Sequence, residues 1–381
     1  MTPREGTSPA PSLGALLATI ETLVTHESPS RDTDAVRESA ELVARLGERM
    51  VGLPGEIIAT GPSTNVRWIL GEGPRRVLLL GHHDTVWPVG SLERIPFSVV
   101  GDTLRGPGCF DMKAGIAMML HAVAALDSAD GVSMLLTGDE ETGSHQSRAL
   151  IEAEARRHHA VLVLEAAADG GALKSARKGV SQYSLIVHGR ASHAGLAPDD
   201  GVNATVELAH QVLAIAQLSN SDHGTTVTPT VIAGGTTGNT VPALARVQID
   251  VRAWAALEQW RVDTALRSQS AVLEGAAVSL DGGVNRLPME ACSSEQLLAR
   301  ASRVARRLSL PPVKAVAVGG GSDGNITASA GTATLDGLGA VGGGAHADDE
   351  YVVVSELVPR TMLLSALIAD ILDAGTGDDD D

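Results

Sequence analysis

Apolar positions recur with a helical period over residues 14–25 and 33–48, the second run opened by Asp32 or Thr33 as a cap. Strand-like runs follow from Asn65 to Leu70 and from Arg76 to Leu80, the latter ending in Gly81-His82-His83-Asp84-Thr85. Residues 112–126 read as a buried helix, 132–136 as a strand, 144–155 as a helix and 160–164 as a strand that closes on Glu165. Strands alternating with helices predict an α/β domain with a mostly parallel sheet and flanking helices. The rhythm changes near Gly179. Residues 180–189 alternate like a half-exposed strand, 201–218 are helical, 226–233 and 245–253 strand-like, 255–274 helical and 275–281 strand-like. This β-α-β-β-α-β order predicts a ferredoxin-like α+β insert. After about residue 287 the first pattern resumes, with helix 294–308, a strand near 332–336 and helix 355–373. The chain is thus expected to form a discontinuous domain of residues 1–179 and 287–381, interrupted by a second domain over 180–286.

Length agrees with two domains, since 381 residues exceed one ordinary core. Aromatic residues make up only 2%, so the core must be built from Ala, Val, Leu and Ile. A formal net charge of −17 argues against nucleic acid or an anionic membrane as partner. No uncharged apolar run is long enough to span a bilayer. The N-terminal apolar run has neither a basic cluster before it nor a cleavage site after it, and it reads as a loose tail leading into a helix. The Asp378–Asp381 run reads as an acidic tail. Cys109 and Cys292 lie far apart with no Cys-x-x-Cys, which fits reduced thiols in the cytoplasm better than a disulfide framework or a thiolate zinc site.

The stretch TGDEETGS over residues 137–144 places Asp139, Glu140 and Glu141 on a turn leaving the carboxyl end of a strand, where open α/β sheets put their sites. Adjacent carboxylates repel, and a cation gives a reason to stack them: one acid can ligate while its neighbour handles a proton. Other strand or loop ends carry His82 with Asp84, Asp111, and Glu165, and His346 sits in the Gly-rich stretch GLGAVGGGAHADDEY. Imidazole nitrogen and carboxylate oxygen without thiolate suit Zn²⁺, Co²⁺ or Mn²⁺. The G-x-G-x-x-G at Gly337–Gly342 is not a dinucleotide site, because more glycine and an acidic run follow where a helix is needed.

The segments GHHDTVWP, GPGCFDMKAG, TGDEETGS, VLEA, GRASHAGLAPDDGVNA and GGGAHADDEY, in this order, resemble the M20 metallopeptidase family, and most of all its glutamate carboxypeptidase (carboxypeptidase G2-like) branch. The resemblance runs from about Gly81 to Tyr351 and implies a di-zinc aminopeptidase-like catalytic domain interrupted by a lid and dimerisation domain, hence a homodimer. It implies two divalent metal ions, Zn²⁺ or else Co²⁺ or Mn²⁺, with Asp111 bridging, His82 and Glu165 completing one site, and Glu141 and His346 the other. Glu140 matches the general base, Asp84 orients His82, and His193 in ASHAG matches a histidine that reaches the partner's site and holds the oxyanion. Asn239 and Arg252 match positions that hold the substrate's polar end. Arg286 is a further candidate for a carboxylate fork, and Gly321 for close backbone approach to the substrate. The implied reaction is hydrolysis of an amide or peptide bearing a free carboxylate, releasing a C-terminal amino acid such as glutamate. N-acyl amino acid deacylases and dipeptidases share the mechanism. A non-catalytic binding module would have lost the base or a ligand, and neither is missing. Two departures stand out: Glu165-Ala166-Ala167 where the family often has Glu-Pro, and His83 where it usually has a small residue.

Overall fold

A computed structural model describes residues 11–374, so the expected N-terminal tail and the acidic C-terminal run lie outside the described residues. The chain divides into two compact units. The larger comprises Met1–Ala176, Ala291–Val318 and Ser322–Asp381, the smaller Arg177–Glu290 with Gly319–Gly321.

The larger unit is built on a six-stranded sheet in the order Glu56–Thr60, Ser63–Leu70, Val132–Thr137, Val77–His82, Ala160–Val163, Ala333–Leu335. The last four run parallel; the first two form an antiparallel hairpin at one edge. Leu78, Leu79 and Leu80 are wholly buried, as in a strand covered on both faces, and each contributes about 1.5–3 kcal/mol by burial. Helix Thr33–Val51 is capped by Asp32, whose carboxylate accepts from the Asp34 and Ala35 N–H groups at 3.2 and 3.1 Å. Nine of the eleven residues of helix Ala114–Ala124 are buried, so it is packed on all sides rather than amphipathic. The strands Glu56–Thr60, Ser98–Val100, Thr103–Arg105, Gly342–Gly343 and Tyr351–Val353 have no counterpart in the apolar pattern. Most are only two or three residues long, too short to show a period.

Gly115 in that packed helix is fixed by contact. A Cβ there would lie 2.2 Å from the carbonyl oxygen of Leu164, the residue before Glu165. Gly115→Ala is therefore expected to destabilise the protein by about 1–3 kcal/mol despite the better helix propensity of alanine. A denaturation midpoint equal to or above that of the parent protein would contradict this close approach.

The smaller unit has the order β-α-β-β-α-β. Its four antiparallel strands lie as Thr226–Gly234, Leu244–Ala253, Gly179–His188, Ala277–Arg286. This is the ferredoxin-like arrangement. Alternate residues Tyr183, Leu185 and Val187, with Ala245, Val247, Ile249 and Val251, form its core with Leu208, Val262 and Leu266 of helices Ala204–Ala216 and Ala256–Arg267.

Candidate metal centre

Three parallel neighbours bring acids and imidazole to one edge of the main sheet. His82 is the last residue of Val77–His82, Glu140 and Glu141 follow Val132–Thr137, and Glu165 follows Ala160–Val163. Asp111 arrives on the wide turn Cys109–Lys113 that opens helix Ala114–Ala124, with a cis Asp111–Met112 peptide. His346 comes from the loop between Gly342–Gly343 and Tyr351–Val353. These two strands join Thr103–Arg105 and Ser98–Val100 in a small antiparallel sheet, which ties the His346 loop to the chain leading into Asp111.

Asp111 lies between two imidazoles. Its Oδ1 is 3.2 Å from His82 Nε2 and its Oδ2 is 3.5 Å from His346 Nε2. His82 Nε2 also lies 3.5 Å from Glu165 Oε1, and His346 Nε2 3.1 Å from Glu141 Oε2. Donor atoms of His82, Asp111 and Glu141 fall within 4.8 Å of one another, as do those of His82, Glu140 and Glu165. All seven sequence candidates of the larger unit are thus brought together. His82, Asp84, Glu140 and Glu165 are buried, Asp111 and Glu141 half-buried, and His346 exposed.

Asp84 does more than face a histidine. Its backbone carbonyl, 3.0 Å away, and its carboxylate, 3.4 Å away, accept from His82 Nδ1–H, which turns the lone pair of Nε2 toward the site as the ligating nitrogen. Its two carboxylate oxygens accept the Glu140 and Glu141 N–H groups, both at 3.2 Å, so one buried acid fixes the imidazole and the acidic turn together. The turn is a short 3-10 segment, Glu140–Thr142; Ser144 has φ 54°, and the helix starts only at Arg148 rather than at 144. Asp139 stays out of the site, accepting from Ser63 Oγ, Gln146 N and Ser147 N.

The electrostatics show what this donor set lacks. Burial disfavours a charged His82, yet bonds to Asp111, Asp84 and Glu165 raise its pKa well above the ordinary value. Bonds to Asp111 and Glu141 raise His346 to about 10. Burial opposes ionisation of Asp111, but His346 and His82 hold it below the usual carboxylate range. Burial and the Asp111 charge raise Glu141, whose Oε1 is buried without a hydrogen-bond partner. The acids outnumber the imidazoles and draw protons onto them, so the cluster is short of positive charge. Nitrogen and oxygen donors in this surplus fit divalent cations of the Zn²⁺, Co²⁺ or Mn²⁺ type.

His83 faces away from the cluster. Its Nε2 lies 2.9 Å from the Thr64 carbonyl and its Nδ1 3.2 Å from Ser39 Oγ, and burial lowers its pKa from 6.5 to about 4. Between those values the unfolded chain binds the extra proton, so stability is expected to fall as pH drops through this window, by up to about 3 kcal/mol. His83→Gln keeps a donor but cannot titrate. Denaturation midpoints at pH 7 and pH 5 should converge in the variant relative to the parent; an unchanged difference would show that His83 is not the source.

Other residues frame the site without any signal in the motif pattern. Glu350 is wholly buried and accepts from Gly108 N, Phe110 N, Asp111 N and Trp87 Nε1 at 2.8–3.0 Å, clamping the turn that presents Asp111. Buried Asp323 accepts from Thr137 Oγ1 at 3.0 Å and from Ser144 Oγ, closing both ends of the acidic turn.

The remaining candidates lie in the smaller unit. His193 pairs with Thr240, and Ala194 N donates to the Asn239 carbonyl at 2.9 Å, so His193 and Asn239 are brought together. His193 Nδ1 accepts from the Gly195 and Leu196 N–H groups, both at 3.1 Å, which leaves the proton of the neutral ring on an exposed Nε2. Arg252 and Arg286 flank Val180 on one rung of the sheet. Arg252 is bidentate on Asp250 at 2.8 and 2.9 Å, because residues two apart on a strand share a face; here it already has a carboxylate. Arg286 is buried. The Gly321 carbonyl accepts from Arg177 Nη1 at 3.4 Å, and that of Gly320 at 3.1 Å. Arg177, buried and unmarked by any motif, adds a cation near the start of the strand that carries Val180.

A profile of "Peptidase family M20/M25/M40" matches residues 78–370. The chain is 30% identical over 380 residues to carboxypeptidase G2 from Pseudomonas sp. (strain RS-16), covering 95% of this chain and 90% of that protein. It is 26% identical to succinyl-diaminopimelate desuccinylase 2 from Shewanella loihica, over 85% of this chain and 93% of that one. Its fold is that of the aminopeptidase PepT from Bacillus cereus, with a TM-score of 0.76 at 21% identity, over 95% of this chain and 99% of that one. Imidazoles and acids gathered at parallel strand ends, on this fold and over this span of sequence, make the chain a metallopeptidase-type amide hydrolase that belongs to peptidase family M20/M25/M40.

Proposed function

We propose that this hydrolase releases a C-terminal amino acid such as glutamate from an N-acyl or peptidyl substrate, using two divalent metal ions. The observation that carries the reading is Asp111, with one carboxylate oxygen toward each of two imidazoles and an acid beside each imidazole. Asp111 would bridge, His82 and Glu165 would hold one ion, and Glu141 and His346 the other. Bound there, zinc or a similar cation would lower the pKa of water and polarise the substrate carbonyl. Glu140 takes a proton from the attacking water and delivers it to the leaving amine nitrogen, which departs neutral. His193 offers its Nε2–H to the developing oxyanion, with Asn239 beside it. Arg286 and Arg252, with Gly321 near Arg177, would receive the substrate's free carboxylate, Arg252 by exchanging its Asp250 partner.

The smaller unit is taken as the lid and homodimer domain over residues 180–286. Its edge strand Thr226–Gly234 exposes Val231 and Ile232 by 53% and 60%, an apolar edge that a second copy would cover. A cytoplasmic enzyme agrees with two unpaired thiols, and no described helix is long and apolar enough to cross a membrane. An N-acyl amino acid deacylase is the second reading, supported by the likeness to a desuccinylase. The test is hydrolysis by metal-stripped protein before and after Zn²⁺, Co²⁺ or Mn²⁺, on N-acyl-glutamates, pteroyl-type amides, N-acetyl and N-succinyl amino acids and dipeptides. Preference for N-acyl-glutamates supports the proposal, and preference for N-succinyl substrates selects the deacylase. Two bound ions with no turnover on any of them would overturn both.

A further inference from the structure

In the larger unit, away from the metal cluster, Arg360 of helix Val354–Ala374 is only 8% exposed. Its Nε donates to the Gly339 carbonyl at 3.1 Å, Nη1 to Gly171 at 2.8 Å and Nη2 to Gly337 at 2.5 Å. All three acceptors are neutral, no ion pair forms among the described residues, and two of the guanidinium's five N–H groups remain. Burial brings its pKa down to about 10, opposed by the charge of Glu356 one helical turn earlier, so Arg360 is still charged at neutral pH with Glu356 as its nearest opposite charge. Buried charges normally meet a counter-charge, because dipoles alone offset desolvation poorly.

Arg360 lines an open cavity of about 170 Å³, room for no more than a very small molecule. Leu173, Leu310, Val313 and Leu363 give it apolar walls, and Lys314 and Glu356 add exposed side chains that make no hydrogen bond or close ion pair among the described residues, Glu356 acting on Arg360 only through its charge. A plain anion would meet Glu356, and a plain cation would meet Arg360 and Lys314. A zwitterion answers both signs. Glu356 and Arg360 are four residues apart on one helix face, so both can face a ligand in the same cavity.

We propose that this cavity is a second binding site, for a free α-amino acid with an apolar side chain. Arg360 and Lys314 hold its carboxylate, Glu356 its ammonium, and the leucine and valine walls its side chain. The site lies behind the metal centre: the Gly337–Ala340 segment that Arg360 grips runs along the strand end bearing Glu165, with Gly339 N on the Glu165 carbonyl and Ala167 N on that of Ala340, both at 2.8 Å.

The test is calorimetric titration of the metal-stripped, full-length protein with L-leucine, isovalerate and isopentylamine. Needing no metal, it succeeds or fails independently of the metal-centre reading. Saturable binding of L-leucine is expected, at least about tenfold tighter than either singly charged analogue, and weakened at least about tenfold by Glu356→Lys or by Lys314→Glu. Both positions are exposed, and a thermal melt of each variant checks that the fold is kept beside the opposite charge that Glu356 presents to Arg360. Absence of saturable L-leucine binding, or binding that both variants leave unchanged, would overturn the proposal and leave Arg360 as a backbone staple.

Discussion

Glu140→Gln is expected to lower kcat by about 10²–10⁴, the usual contribution of a positioned general base, while metal uptake and KM stay near those of the parent. Glutamine keeps the volume and the hydrogen-bonding reach of glutamate but cannot accept the proton of the attacking water. The turn should hold, since Asp84 grips the Glu140 and Glu141 backbone N–H groups and Asp323 closes the turn through Thr137 and Ser144. Metal content by atomic emission beside steady-state kinetics decides between two roles. Glu140 also lies with His82 and Glu165 inside a 4.8 Å cluster, so loss of an ion in this variant would make it a ligand and refute its assignment as base. A variant with full activity would show that the proton goes elsewhere.

The residues legible in the sequence share one property: each sits at the end of an apolar run, and the alternation of strand and helix places such ends on one edge of a sheet. His82, Glu140, Glu141 and Glu165 follow from that alone, and the order of motifs adds Asp111 and His346. Glu350 was illegible for the converse reason. It closes the run Asp348-Asp349-Glu350, which reads as solvated surface charge. Asp348 and Asp349 are indeed exposed, while Glu350 is buried because it docks on a loop some 240 residues away in sequence. Asp323 and Arg177 are hidden likewise, since their partners come from distant segments. Arg252 is the opposite case. Period-two alternation places Asp250 on its own face, so this ion pair is legible in the sequence, beside the likeness of Arg252 to a substrate-binding position. The false start of a helix at Ser144 has a local cause: composition favours helix, but Asp139 and Asp323 hold the chain in a turn until Arg148.

Asp111→Asn tests the centre more severely, because one atom's change removes the charge shared by both halves. If Asp111 serves both ions, as proposed, the variant should lose both together, and activity should fall by about 10²–10⁴ or more, the scale of breaking a buried charge pair. The metal-free protein offers an independent reading. Asp111 is a leading cause of the raised pKa values of both His82 and His346, the latter brought to about 10. Removing its charge should lower both titrations, visible as movement of the two midpoints to lower pH in a histidine NMR pH series on stripped protein. Glu350 grips the turn through backbone N–H groups alone, so the loop should keep its place when the side chain changes. A variant that keeps two ions, or whose His82 and His346 titrate unchanged, would remove Asp111 from the bridging position and with it the two-metal reading.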